Sequence, residues 1–313
     1  MRITTNMQNK NIMSSMLTNQ SDMAKLQTQL ATGNKVNSAS DNPSAVPSIM
    51  DANSVLNKIE IYKNNITYLN GEIEVAEGTL GQVTEYIQRL KDLTLNAANA
   101  TNSPEQLKLL NDEIKQIKEQ IVSLANTNYQ NSHIFAGNRT GTIPYTINDD
   151  GSIVYNGTPS SGDYKREYSI ADNVNVSINI AGDIAFGYSN LKTAGPPAEY
   201  EGQGLLHTVN ALTMLLDADT PDYDAIRSQL DGLDDAQNKI LAARTELGGA
   251  QSRLTMTEEQ HENSKVTYKT IQSNLQEVDV AQLVTELSTK QVALQASLYA
   301  GTQIMNISIM DYL

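Results

Sequence analysis

Two runs of apolar residues spaced by sevens leave this chain little choice of fold. In the first, Ile59, Ile66, Ile73, Leu80 and Ile87 recur at every seventh position, with Tyr62, Leu69, Ala76, Val83 and Leu90 in the companion position. In the second, Ile226, Leu233, Ile240, Leu247, Leu254, His261, Tyr268 and Leu275 do the same, with Ala236, Ala243, Ala250, Ile271 and Val278 in companion sites. A seven-residue repeat keeps one stripe of a helix against a neighbouring helix, as in a coiled coil. Each run therefore predicts a long helix with a filled seam. The first should cover about 45–98 and reach roughly 80 Å if unbroken, weakened locally by Gly71, Gly78 and Gly81.

Thr101-Asn102-Ser103-Pro104 breaks the first helix, with Ser103 as N-cap and Pro104 at the first helical position. Leu107, Leu110, Ile114, Ile117, Ile121 and Leu124 then predict a third helix. From about His133 to Tyr200 the period falls to two. Val174, Val176, Ile178 and Ile180 alternate with polar residues as in a half-buried strand, and Tyr164, Tyr168 and Ile170 suggest another. Asn148-Asp149-Asp150-Gly151 between Tyr145–Ile147 and Ile153–Tyr155 is a hairpin signal, and Gly195-Pro196-Pro197 closes the region. Helical spacing returns with Leu205–Leu216, and Pro221 opens the second long helix.

The outermost segments carry thinner stripes. Near the N-terminus Met16, Met23 and Leu30 are spaced by sevens, Ile12 and Leu26 fill the companion position, and Asn19 interrupts it. Near the C-terminus Val280, Leu283, Val284, Leu287, Leu294, Leu298 and Met305 are expected on one helical face, with Glu286 and Lys290 as an i,i+4 pair. Such helices are marginal alone, because most helical stability comes from packing the stripe. Met, Asn and Gln recur where a closed core favours Leu or Ile, which suits an interface formed only when neighbours arrive. These twelve residues are the candidate assembly interface. The expected fold is mainly α: a long antiparallel bundle or coiled coil built from N- and C-terminal arms, with a small β-rich insert. Residues 1–43 with 275–313 form a conditionally folded assembly region. Residues 44–132 with 201–274 form a helical rod, and 133–200 form the insert.

Composition removes many activities. The 313 residues include no cysteine and carry a formal charge of −14. That excludes disulfides, thiolate nucleophiles and Cys-ligated zinc, and argues against binding a nucleic-acid backbone. No run is long and apolar enough for membrane insertion. The N-terminus lacks the apolar core of a cleaved secretory signal, so an extracellular protein would leave by another route. His133, His207 and His261 fall in no metal-binding spacing, and His261 is a seam position. Asp217, Asp219, Asp222 and Asp224 resemble a calcium loop, but Pro221 replaces the turn glycine and Ser228 the bidentate glutamate, so an acidic helix start explains them better. No nucleotide-binding glycine motif or GxSxG is present. Catalytic residues, metals and cofactors are all expected to be absent.

Four patches carry a resemblance: Met1-Arg2-Ile3-Thr4-Thr5; Gln29-Leu30-Ala31-Thr32-Gly33 with Lys35-Val36 and Ser40-Asp41-Asn42-Pro43; Ile134-Phe135-Ala136-Gly137 through Pro144-Tyr145; and Gln291 to Leu298 with Ile309-Met310-Asp311-Tyr312-Leu313. They resemble the flagellin family of bacterial axial proteins. The Met-Arg-Ile opening, Asp-Tyr-Leu ending and single modest insert look more like the subgroup at the hook–filament junction than like filament flagellin. Leu294 stands where many members carry Tyr. The resemblance implies a non-enzymatic, extracellular structural subunit of the flagellum that joins hook to filament. It implies contacts with flagellin, with the other hook–filament junction protein and with copies of itself. It also implies type III export, aided by a cytosolic chaperone that holds the C-terminal helix. Filament flagellin is the nearest alternative, followed by a secreted helical ligand-binding protein, and last by an enzyme with a site between arms and insert.

Overall fold

A computed structural model of the chain describes residues 5–148, 151–162, 164–193, 199–218 and 220–310. The elements are α1 (Thr5–Thr32), α2 (Val46–Ala97), α3 (Pro104–Ala125), β1 (Asn128–Tyr129), β2 (Ser132–His133), β3 (Tyr145–Ile147), β4 (Ile153–Tyr155), β5 (Glu167–Ala171), β6 (Val174–Ser177), α4 (Gly182–Ala185), β7 (Tyr188–Thr193), β8 (Glu199–Gln203), α5 (Gly204–Asp217), α6 (Tyr223–Gln276) and α7 (Val280–Met310). The architecture is mainly α with a small β-rich insert. Its contacts divide into two compact units, Met1–Ile59 with Glu262–Leu313 and Glu60–His261.

Within Glu60–His261 the two filled heptad runs face each other. Ile66, Ile73, Leu80 and Ile87 of α2 and Ile226, Leu233, Ile240, Leu247 and Leu254 of α6 are all buried in one core. The helices run antiparallel: Tyr62 stacks on His261 at 5.5 Å, Glu77 accepts from Arg244 at 2.6 and 2.8 Å, and Lys91 reaches Asp234. α3 and α5 complete the bundle, joined by Asn111 and Lys115 donating to Asp217 at 2.9 and 2.8 Å. α3 starts where sequence places it. The Ser103 hydroxyl accepts from the Gln106 amide N–H and the Gln106 side chain accepts from the Ser103 amide N–H, a full capping box. Gly71 interrupts the apolar pattern of α2 for a packing reason, since a Cβ there would lie 2.2 Å from the Tyr129 hydroxyl. Tyr129 belongs to the β1–β2 hairpin, whose turn residues Gln130 and Asn131 both take positive φ.

The insert shares the helical core. β3 and β4 pair antiparallel as the hairpin signal indicates, Tyr145 opposite Tyr155 and Ile147 opposite Ile153. They continue into a four-stranded sheet of order β3-β4-β7-β8. The last two strands have no clean apolar alternation and were not expected. The strand expected from Val174 to Ile180 is shorter. β6 stops at Ser177, and Ile178 and Ile180 are buried outside any strand. Asn179 is the reason: its side chain accepts from the Arg166 amide N–H at 2.8 Å and donates to the Tyr164 carbonyl, replacing ladder bonds. The β5–β6 hairpin is tied to both long helices. Asn65 of α2 donates to the Ser169 carbonyl at 2.8 Å, and His261 of α6 meets the Ile170 carbonyl at 2.6 Å. His261 is therefore a buried, hydrogen-bonded core residue.

The core assignment is testable by chemical denaturation. Ile87→Ala should cost about 2–5 kcal/mol of unfolding free energy, because the Ile87 side chain is fully buried in the helical core. Leu109→Ala on α3, where the side chain is 70% exposed, should shift stability by no more than about 0.5 kcal/mol.

Candidate assembly surface of the terminal helices

Within the unit of Met1–Ile59 and Glu262–Leu313, two chain breaks are stitched together. α1 ends at Gly33, whose φ of +71° is the left-handed conformation that terminates helices. The following residues lie beside the break between α6 and α7. The Lys35 amide donates to the Gln276 carbonyl at 2.7 Å, the Val278 amide to the Gly33 carbonyl at 3.1 Å, and the Lys35 ammonium to the Asn274 carbonyl at 2.6 Å. Beneath them Val36, Ala45 and Ile49 form a small core against Val46 and Leu275.

Asp41 organises the loop between α1 and α2. Its carboxylate accepts from the amides of Asn37 and Ser38 at 3.0 and 2.9 Å and pairs with Lys25 of α1 at 2.9 Å. Lys25 first, then the Ser38 and Asn37 N–H groups, hold the Asp41 carboxyl below its ordinary value. Asn42 caps the next helix by accepting from the Ala45 amide at 3.2 Å, and Asp279 caps α7 by accepting from the Ala281 amide at 2.9 Å. The polar residues of the resemblance at 35–42 are thus the ones that hold this joint.

Beyond the joint, α1 and α7 pack against each other. They run antiparallel: Lys290 donates to Asp22 at 2.6 Å, and Gly301 faces Ile12. Lys290 crosses to α1 instead of pairing with Glu286, whose carboxylate accepts from Gln282 at 2.9 Å. The more enclosed positions of α7 include Leu283, Leu287, Lys290, Leu294, Ser297 and Gly301; those of α1 include Ile12, Met16, Asn19, Asp22, Met23 and Leu26. A fully buried leucine contributes about 1.5–3 kcal/mol. Among the described residues of these two helices only Leu283, 3% exposed, reaches that state. The seam is real but thin.

Of the seven C-terminal residues expected on one face, the six whose side chains are described are unequally covered. Leu283, Leu287 and Leu294 lie on the enclosed side, whereas Val280, Val284 and Leu298 are exposed, Val284 by 45%. At about 100° per residue all six fall within one face roughly 100° wide, and α1 covers only the part of it that carries Leu283, Leu287 and Leu294. Leu30 is likewise exposed, and Met305 lies outside the described side chains. Sequence reasoning missed the exposed Met7, Met13 and Leu17 of α1 and Val292 of α7. The outer faces thus carry exposed apolar side chains.

Asp222 caps α6 by accepting from the Asp224 and Ala225 amides at 3.1 and 3.0 Å, Asp217 is engaged by Asn111 and Lys115, and Asp219 lies outside the described residues. His133 meets the Asn126 carbonyl at 2.9 Å. Among the described residues no group of three or more His, Cys, Asp or Glu could hold a metal ion, and no helix is long and apolar enough to cross a membrane.

Long heptad-patterned helices, a pair of packed terminal helices and a small β-rich insert define a mainly α class of chain. The bacterial flagellin N-terminal helical region matches residues 3–140 and the bacterial flagellin C-terminal helical region matches residues 230–313, so the chain belongs to the flagellin family. Flagellar hook-associated protein 3 of Salmonella typhimurium is 26% identical over 99% of this chain and 98% of its own length. Flagellin of Bacillus subtilis is 25% identical over 95% of this chain and 94% of its own. The crystal structure of Xanthomonas campestris FlgL shares the fold, with a TM-score of 0.61 at 16% identity over 71% of this chain and 99% of that one.

The Asp41 clamp gives a pH signature. A depressed carboxyl pKa contributes stability that is present above the ordinary aspartate value and lost as pH falls through the lower folded value. Amide protection at Asn37 and Ser38 should therefore hold from neutral pH down to the ordinary value of 3.8 and decline only below it. Asp41→Asn should abolish that acid step; an unchanged profile would contradict the clamp.

Proposed function

We propose that this chain is a structural subunit of the bacterial flagellum that joins hook to filament. The observation that carries the reading is the pair α1 and α7, held together by a thin seam while apolar side chains stay exposed on both outer faces. Residues 1–43 with 275–313 form the assembly region, residues 44–132 with 201–274 the rod, and residues 133–200 the insert. The partners are copies of the same chain, the other hook–filament junction protein and flagellin. The protein is not an enzyme and works outside the cell, after export without a cleaved signal. Before export a cytosolic chaperone holds the C-terminal helix, where Leu283, Leu287 and Leu294 are available until α1 covers them. The full-length match to hook-associated protein 3 of Salmonella typhimurium supports the junction over the filament.

Filament flagellin is the second reading, supported by the Bacillus subtilis relative. Added to filament seeds, the purified chain should form a short collar and stop; continued elongation would assign it to the filament. In cells that lack the gene, the unaltered chain should restore filaments. Leu287→Asp puts a charge into the seam, where an unpaired charge is costly. It should reach the medium yet leave cells with bare hooks and free flagellin. Normal filaments on exported Leu287→Asp protein would overturn the assembly role of α7.

A further inference from the structure

A cleft opens beside β7 and β8. Its volume is about 380 Å³, and its polar lining includes Tyr188, Asn190 and Gln203 from β7–β8 and Ser160, Ser161 and Asp183 from the 159–161 loop and α4. That volume lies within the roughly 300–1,000 Å³ of small-molecule sites. Strand geometry sets one wall. Tyr188 and Asn190 are two residues apart and so share a face, and Gln203 is the direct cross-strand partner of Tyr188. Ser189 between them is fully buried on the other face, where Asn210 of α5 donates to its hydroxyl at 3.2 Å.

The other wall is clamped. The Asp183 carboxylate accepts from the Ser160 amide at 2.9 and 3.1 Å and from its hydroxyl at 2.8 Å. The Tyr155 hydroxyl donates to the Phe135 carbonyl at 2.9 Å and accepts from the Gly182 amide at 3.2 Å. Both walls are therefore formed before any ligand arrives. Among the described residues neither the Asn190 nor the Gln203 side chain takes a hydrogen-bond partner.

The lining chemistry selects the ligand class. No lysine, arginine or histidine lines the cleft among the described residues, and Asp183 adds a negative charge, so anions are disfavoured. A metal ion would find one carboxylate, with its oxygens already engaged by Ser160. A purely apolar ligand would strand two amides and two hydroxyls. What matches is a molecule with one apolar face for the Tyr188 ring and an edge of groups that both donate and accept to amides and hydroxyls. We propose that this cleft binds a short neutral saccharide. The inference is independent of the junction reading, because it rests only on the residues that line this cleft.

Saturation-transfer NMR on the full chain tests it, with cellotriose, chitotriose, mannotriose and the neutral trisaccharide lacto-N-triose as probes and sialyllactose as the anionic control. At least one neutral probe should receive saturation and sialyllactose should not. Cellotriose, chitotriose or mannotriose would point to an environmental polymer, lacto-N-triose to a host glycan. Tyr188→Ala should weaken the binding about tenfold, the weight of one stacked ring. Asn190→Ala, at an exposed position that cannot disturb the core, should weaken it as well. Tyr86→Ala on α2, outside the cleft, should change nothing. Absence of transfer to every neutral probe, full binding by Asn190→Ala, or equal transfer to sialyllactose would overturn the proposal.

Discussion

Everything stable in this chain depends on burying two seven-residue apolar stripes against each other. In the unit of Glu60–His261 the stripes of α2 and α6 are filled with Ile and Leu, so each turn of one helix removes a branched side chain of the other from water. α3, α5 and the β strands add to that same core. The terminal pair uses the same antiparallel geometry with weaker material. Asn19, Lys290 and Ser297 stand where the long helices carry Ile or Leu, and Met16 and Met23 replace branched residues. A flexible thioether adapts to several partners at the expense of specifying one. The contrast is between a saturated seam and a starved one.

The joint that bears the terminal pair is polar, and its bonds are mostly backbone. Residues 33–36 and 276–278 satisfy each other's amides and carbonyls where both helices are interrupted, so neither break leaves its groups to water alone. Asp41 extends that order to the start of α2 and back to Lys25 of α1. Segments distant in sequence are thereby held together with little apolar burial.

Periodicity made the long helices legible because the heptad positions of α2 from Ile66 to Leu90 and of α6 from Ile226 to Leu254 obey one rule, which lapses at Ile271, an exposed companion site. It also made the β3–β4 hairpin and the α3 cap legible, since turn and capping chemistry are local. It failed where a side chain took over a backbone role, as Asn179 does after β6, and where strands lack alternation, as in β7 and β8. For the terminal helices the residues were legible but their directions were not. Val280, Val284 and Leu298 belong to the same apolar set as Leu283, Leu287 and Leu294, and only the position of α1 separates an inner from an outer face. The Lys290 partner was hidden for the same reason, because a local Glu286 and a distant Asp22 look alike until the helices are placed.

The central claim is that α1 and α7 hold each other through their thin seam while the α2–α6 core stands without them. Amide hydrogen exchange on the full-length monomer, compared with Met16→Asp/Met23→Asp, tests this most directly. The account predicts faster exchange across Leu283–Ser297 of α7 in the double variant and unaltered protection across Leu80–Leu90 of α2. Unchanged protection of α7, or loss of protection in both regions together, would contradict it.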